Sequence, residues 1–416
     1  MSFQHIAIVG AGHAGGCAAA ALRAAGFPGR ITLVGAEAHP PHERPPLSKE
    51  LLAGAVPPEK TYLRPTDWYA SCDIELRLNT RVLGIDRPSQ RLTLSDGDSL
   101  AYDGLLLTTG ARARTMPGVN RADSRIFYLR TIEDALALRE RLKPDARLCV
   151  IGAGFIGLEV AATARKAGCR VTVLELANHP LARVAPPEIG AYVAALHCRH
   201  GVDLQLGCSV RSLDTGQACC AIGTPDGRTI AADIVVVGIG ATPNTELATD
   251  AGLAVKDGIV VDEFGKTSDP CIFAAGDVTR HFNPLLGRPI RLEAWQNAQN
   301  QAIAVAQVMA GGSEAYTEMP WVWTDQYDMN MQIAGAPTQW DSLVYRGDPS
   351  CGSFLVFQLL QDSLVGSIGV NAGRDMRFAR MLVASGNAVD RDALADVKLK
   401  LQDICRQTPR TPQSQP

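Results

Sequence analysis

The chain has 416 residues, 46% of them hydrophobic and 20% charged, with a formal net charge of −3. That length exceeds what one compact core carries, so two or three domains are expected, of ordinary globular composition rather than disordered. The small net charge gives no bulk attraction for nucleic acid, and no run of about 18 uncharged apolar residues reads as a membrane span.

The opening residues MSFQHIAIVG enter a strand at once, which leaves no room for a signal peptide. Residues 5–9 (HIAIV) read as a strand and GAGHAGG at 10–16 as a glycine loop. AGGCAAAALRAAG at 14–26 reads as a helix stopped by Gly26 and Pro28, and RITLVG at 30–35 as a second strand. HERPPLSKELLAG at 42–54 places a rigid Pro45–Pro46 turn before Ser48, which is expected to cap a helix carrying Lys49 in its first turn. A lysine there opposes the helix dipole, so another task is expected of it. YDGLLLTTGAR at 102–112 is an apolar strand ending in Thr109 and Gly110, and LRTIEDALALRERL at 129–142 reads as a crossover helix.

The first plan then repeats. RLCVIG at 147–152, a helix near 155–167 stopped by Gly168, and CRVTVLE at 169–175 form a second strand–loop–helix–strand unit. Gly10, Gly12 and Gly15 in the first unit and Gly152, Gly154 and Gly157 in the second share the G-x-G-x-x-G spacing. Such glycines permit a tight turn, close approach to a pyrophosphate and close helix–strand packing, and the helix N-terminus offers unpaired N–H groups to the phosphate. Glu175 ends the second unit's strand, where a carboxylate accepts bonds from ribose hydroxyls; LANH follows it with no arginine for a 2′-phosphate, which favours NADH over NADPH. In the first unit Glu37 has the matching position, either as a ribose acceptor or as a surface acid.

Further along, IFAAGDVTR at 272–280 is an apolar strand ending at Gly276–Asp277. MQIAGA and FLVFQLL suggest short strands of a third domain, and Arg374, Arg377 and Arg380 fall near one helix face as a docking patch or a solvated surface. The eleven cysteines are odd in number, scattered and free of any C-x-x-C, so a reduced cytoplasmic protein is expected; Cys219–Cys220 is the one adjacent pair. None of the eight histidines has metal-ligand spacing, so no metal is assigned, and His13 reads as a tolerated variable position.

The motifs GAGHAGG, RPPLSK, TTGAR, GAGFIGLE, VVVGIGATPN and AAGDV, in this order, resemble the two-dinucleotide-binding-domain flavoprotein reductases. RLEAWQNAQNQA (291–302) and PWVWTDQYD (320–328) narrow the resemblance to FAD-dependent ferredoxin–NAD reductases of bacterial oxygenase systems. It covers the chain to about residue 400. The resemblance implies an α/β fold with two doubly wound, glutathione-reductase-like dinucleotide-binding domains and a smaller α+β C-terminal domain. A discontinuous FAD domain is expected at 1–112 and 244–318, an NAD domain at 113–243, the C-terminal domain at 319–405 and a disordered tail at 406–416.

By motif matching, the resemblance gives FAD to Gly10, Gly12, Ala14, Gly15, Glu37, Arg44, Lys49, Val82, Thr109, Gly110, Arg130, Asp277, Glu293, Trp295 and Trp323. It gives NADH to Gly152, Gly154, Phe155, Ile156, Gly157, Glu159, Glu175 and Gly240. Lys49, Glu159 and Trp323 carry the catalytic expectation: Lys49 for charge on the reduced flavin, Glu159 for the nicotinamide amide, Trp323 for the flavin pocket. Trp323 as plain core and Glu293 as a helix-capping acid remain open. The implied activity is electron transfer from NADH through FAD to a [2Fe–2S] ferredoxin serving an oxygenase, with no nucleic acid or membrane partner. The W-x-N-A-Q-N-Q form favours a Rieske-type aromatic-ring dioxygenase system over a cytochrome P450 system. Without C-x-x-C, and without a cysteine at 40–45, the dithiol and peroxidase branches fall away. A redox-responsive NADH-binding flavoprotein resembling apoptosis-inducing factor is the alternative outside catalysis.

Overall fold

A computed structural model describes residues 3–119, 123–216 and 219–407. Two five-stranded parallel sheets organise the first two thirds. One has the spatial order Ile272–Ala274, Gly104–Leu107, His5–Val9, Arg30–Val34, Ile74–Arg77; the other Asp203–Gln205, Arg170–Leu174, Arg147–Ile151, Ile234–Val237, Ile126–Phe127. Their central strands are continuous apolar runs because both faces are covered, one by helices and the other by a small antiparallel sheet, at 82–101 over the first and 212–232 over the second: Gly104–Leu107 and Ile234–Val237 are buried at every residue. In each sheet the order reverses beside the strand that precedes the glycine loop. That is where a doubly wound sheet opens a crevice at its strand ends.

The helices His13–Ala24 and Phe155–Lys166 follow the two loops, close to the expected bounds. The crossover helix runs Ile132–Arg141, three residues later than expected, because Thr131 and Asp134 form a capping box that fixes its start. The Ser48 cap is corrected. Pro45–Ser48 is a short 3-10 turn that ends at Ser48, and Lys49 follows it at φ −122°, ψ −103°. Two consecutive prolines lock that turn, leaving the Ser48 hydroxyl free to bond elsewhere. No helix begins there, so the dipole argument for Lys49 lapses and its role must come from its neighbours.

The two sheets are linked twice, by antiparallel pairing of Ala111–Ala113 with Ala241–Pro243. Three small sheets, two antiparallel at 82–101 and 212–232 and one mixed at 259–290, are additions the sequence reading did not place. Residues 321–370 form a five-stranded antiparallel sheet, order Trp321–Gln326, Met329–Gly335, Ser363–Val370, Phe354–Leu360, Ser342–Arg346, backed by the helix Gly373–Ser385. The chain is still helical over Leu401–Gln407, so the expected tail is corrected at 406–407, and its remainder, 408–416, lies outside the described residues.

One apolar cluster joins the second sheet, the C-terminal sheet and the stretch after the proline turn: Leu47, Leu51 and Leu52, each at most 2% exposed, pack with Leu158, Met331 and Phe354. Lys49 therefore rides on a segment clamped on either side. Leu51→Ala leaves a cavity at this junction and is expected to cost about 2–5 kcal/mol, read as a lowered urea midpoint. An unchanged midpoint would show that the clamp is not structural.

Candidate functional site

Both glycine loops open onto one cleft of about 1330 Å³, lined by Gly10, Gly12 and Ala14 from the first and Gly154, Phe155 and Ile156 from the second. Gly10 has φ +112°, and a Cβ there would sit 2.3 Å from the Thr108 carbonyl oxygen of the neighbouring strand. Gly152 repeats this at φ +103°, with the Gly238 carbonyl oxygen 2.4 Å away. Gly15 and Gly157 lie behind their loops, where the helices cross the strands. Neither helix has a side-chain cap or an acid in its first turn, so the first-turn N–H groups remain available to an anion.

At one end of the cleft, Arg44 donates to Glu37 Oε1 at 2.6 Å. Glu37 Oε2 is buried and accepts no hydrogen bond, with His42 Nε2 3.7 Å away. Burial pushes this carboxyl up, but the Arg44 guanidinium outweighs it and holds the group below the usual carboxylate range. An ionised, half-satisfied acceptor beside a phosphate-binding loop fits an adenosine ribose, so Glu37 is not a simple surface acid. Val82 lines the same cleft. Arg44 also donates to the Arg130 carbonyl, Arg130 Nη2 reaches Asp277 Oδ2 at 3.0 Å, and Arg130 Nε is buried without a partner. Thr109 and Asn244 exchange two hydrogen bonds, Oγ1 to carbonyl at 2.7 Å and Nδ2 to carbonyl at 2.8 Å, which fixes the turn at Gly110.

At the other end the three domains meet. Glu159, on the second loop's helix and only 4% exposed, accepts from the Ser48 hydroxyl and from Thr324 Oγ1, the latter at 2.7 Å. Burial raises its pKa, against the opposing pull of Lys49, Ser48 and Thr324. Lys49 Nζ lies 3.8 Å from Glu159 but 3.2 Å from Asp325 Oδ2, and 5.8 Å above the centre of the Trp323 ring. Trp323 makes an edge contact with Trp295 at 5.6 Å and stacks on Trp321 at 5.3 Å, and Arg380 lies over Trp321 at 4.7 Å. Trp323 thus faces the cleft rather than a closed core.

Glu293 lines the cleft and pairs with Arg291, while the backbone of Ala294 begins the helix Trp295–Met309, so it is not a capping acid. His13 is corrected: it is buried, its ring lies 4.9 Å from that of Trp295, and burial, with Arg44 and His42 nearby, pushes its pKa down to about 4. It is a neutral packing partner of Trp295.

Glu175 holds a fixed orientation, accepting from Ala153 N at 2.6 Å and Ala177 N at 2.8 Å. Gly240, at φ +106°, lines the cleft opposite Arg183, which the sequence reading missed because nothing in the loop 176–186 marks it. Asp325, Ser48 and Thr324 were missed because their partners are remote in sequence. Arg374 and Arg377 are exposed, but Arg380 is turned inward onto Trp321, so the three do not form one patch. All eleven cysteines are free thiols, and Cys220 is buried, where desolvation pushes its thiol pKa up.

A dinucleotide fits each half of the cleft, on the evidence of the uncapped helix ends and the orphaned Glu37 and Arg130 atoms. The model for the pyridine nucleotide-disulphide oxidoreductases matches residues 4–302, and that for the reductase C-terminal domain matches residues 321–405. The ferredoxin–NAD(+) reductase component of the anthranilate 1,2-dioxygenase system of Burkholderia cepacia is 46% identical over 403 residues, covering 97% of this chain and 99% of that protein. Putidaredoxin reductase of Pseudomonas putida is 40% identical, with 96% of each chain covered. The covalent putidaredoxin reductase–putidaredoxin complex superposes with a TM-score of 0.94 at 39% identity, over 97% of this chain and 98% of that one.

Proposed function

The chain belongs to the pyridine nucleotide-disulphide oxidoreductase family, with the reductase C-terminal domain, and from that premise we propose an FAD-dependent ferredoxin–NAD(+) reductase of an aromatic-ring dioxygenase system. The observation that carries this reading is the single cleft onto which two glycine loops of separate parallel sheets open, with Lys49 and Trp323 between them. One loop suits a resident FAD and the other a passing NADH. An FAD held there would supply the exchange between a two-electron hydride donor, NADH, and a one-electron acceptor, a [2Fe–2S] ferredoxin.

The protein's own part is placement and field. The uncapped helices at Gly12 and Gly154 hold the two pyrophosphates, and Glu37 and Glu175 hold the riboses. Arg44, Arg130 and Asp277, which line the cleft, would hold the ribityl chain. The Lys49 ammonium favours negative charge at the ring, and Trp295 and Trp323 exclude water from it. Glu159, held by Ser48 and Thr324, presents a buried carboxyl toward the nicotinamide side. Among the described residues no helix is long and apolar enough to cross a membrane, and the eleven free thiols support a reducing, cytoplasmic setting. The FAD domain is drawn from 1–112 and 244–318, the NAD domain from 113–243.

Two measurements check this. Anaerobic titration should consume one NADH per flavin, and the reduced protein should then reduce two equivalents of ferredoxin; a purified chain without FAD would contradict it. NADH is also expected to exceed NADPH by at least about tenfold in kcat/KM, or about 1.4 kcal/mol, because the oriented Glu175 carboxylate repels a 2′-phosphate. Glu175→Ala should narrow that gap mainly by weakening NADH, and equal efficiency in the unaltered enzyme would refute the assignment.

A further inference from the structure

Asp325 and Lys49 form an ion pair at the junction of all three domains. Lys49 comes from the clamped segment after the proline turn; Asp325 comes from the edge strand Trp321–Gln326 of the C-terminal sheet. By strand alternation Asp325 shares a face with Trp321 and Trp323, of which Trp323 lines the cleft. Its orientation is fixed from across the hairpin: Asn330, its registered partner on the next strand, donates Nδ2 to Asp325 Oδ1 at 2.7 Å. That leaves Oδ2 for the Lys49 ammonium at 3.2 Å. The other acid in reach, Glu159, is 3.8 Å from Lys49 and already has both oxygens occupied by the hydroxyls of Ser48 and Thr324. Lys49 is 12% exposed, so its charge is poorly screened by solvent, and its position depends on which carboxylate holds it.

We propose that Asp325 is a positioning residue for Lys49, tethering the ammonium to the C-terminal domain and so setting the reduction potential of the flavin held in the cleft. The inference rests on the cofactor reading above. Reduction places negative charge at the ring; a lysine neutralised by a fixed aspartate favours that charge less than a lysine released toward it. Asp325 thereby keeps the bound flavin a stronger reductant, as transfer onward to a ferredoxin requires. The tether belongs to the domain that also carries the tryptophans, so a partner docking there would bear on the same lysine.

The test is the midpoint potential of the FAD-loaded protein, read by equilibration with a reference dye. Asp325→Asn should shift the two-electron equilibrium toward reduced flavin by at least tenfold, about 30 mV more positive. Lys49→Met should shift it the other way. In the Lys49→Met background the effect of Asp325→Asn should fall below a third of its value, because the aspartate acts through the lysine. Asn330→Ala, which keeps both charges but frees the carboxylate, should give a smaller positive shift, and it decides the matter if Asp325→Asn does not fold. A flavin-replete Asp325→Asn protein with an unaltered potential, or the same shift with and without Lys49, overturns the inference. A wild-type chain that holds no flavin overturns the cofactor reading instead.

Discussion

Gly152→Ala is expected to leave the protein with its full complement of flavin while lowering kcat/KM for NADH at least about a hundredfold, a loss of about 2.7 kcal/mol. The new Cβ would meet the Gly238 carbonyl oxygen at 2.4 Å, in a backbone conformation of φ +103° that L side chains rarely adopt. The loop can only relieve that contact by moving off the strand end, which takes the first-turn N–H groups of Phe155–Lys166 away from the nucleotide. Gly10→Ala has the matching clash, 2.3 Å from the Thr108 carbonyl oxygen, and is expected to purify with little or no FAD. The contrast separates the two loops: one substitution removes the resident cofactor, the other only the visiting coenzyme. Flavin absorbance per chain and stopped-flow reduction by NADH measure both. If Gly152→Ala lost its flavin and Gly10→Ala kept it, the assignment of the loops would be reversed.

The second large effect concerns the partner. This chain carries a net charge of −3, so attraction of an acidic ferredoxin needs a local basic surface. The helix Gly373–Ser385 offers exposed Arg374 and Arg377, beside the Arg380–Trp321–Trp323 array that leads into the cleft. Reversing Arg374 and Arg377 to Glu is expected to lower the association rate with ferredoxin on the order of 10- to 100-fold at low salt. The wild-type rate should fall as ionic strength rises to 0.15 M, where the Debye length is about 8 Å, and the double variant should lose that dependence. NADH reduction of the flavin should be unaffected in both. Arg380 is left in place because its guanidinium packs on Trp321, so changing it would disturb the ring array as well as the charge. A double variant that matches the wild type at low salt places the docking surface elsewhere.

The parts of the fold that were legible in the sequence are those set by local chemistry. HIAIV, GLLL and RLCVI announce apolar strands, and the two glycine spacings announce the turns beside them, because only glycine tolerates the backbone contacts at Gly10 and Gly152. What was not legible depends on remote partners. The Ser48 hydroxyl looked like a helix cap, but its acceptor is Glu159, 111 residues away. Lys49 was identified as functional for a reason that the 3-10 turn removes, and its actual partner, Asp325, is 276 residues distant. His13 looked idle until the fold set it against Trp295. The three-residue spacing of Arg374, Arg377 and Arg380 was correct for a helix, yet packing at Trp321 drew the third arginine inward.

The central claim is that electrons entering from NADH leave to a ferredoxin, and the rate of that second step tests it most directly. The protein is reduced anaerobically with one equivalent of NADH and mixed in stopped flow with an oxidised [2Fe–2S] ferredoxin at low ionic strength. The account predicts that ferredoxin bleaching and flavin reoxidation proceed together, at a rate within the usual enzymatic range of about 1–1000 per second. A long-lived charge-transfer band with ferredoxin left oxidised would contradict it and favour an NADH-holding, redox-responsive flavoprotein.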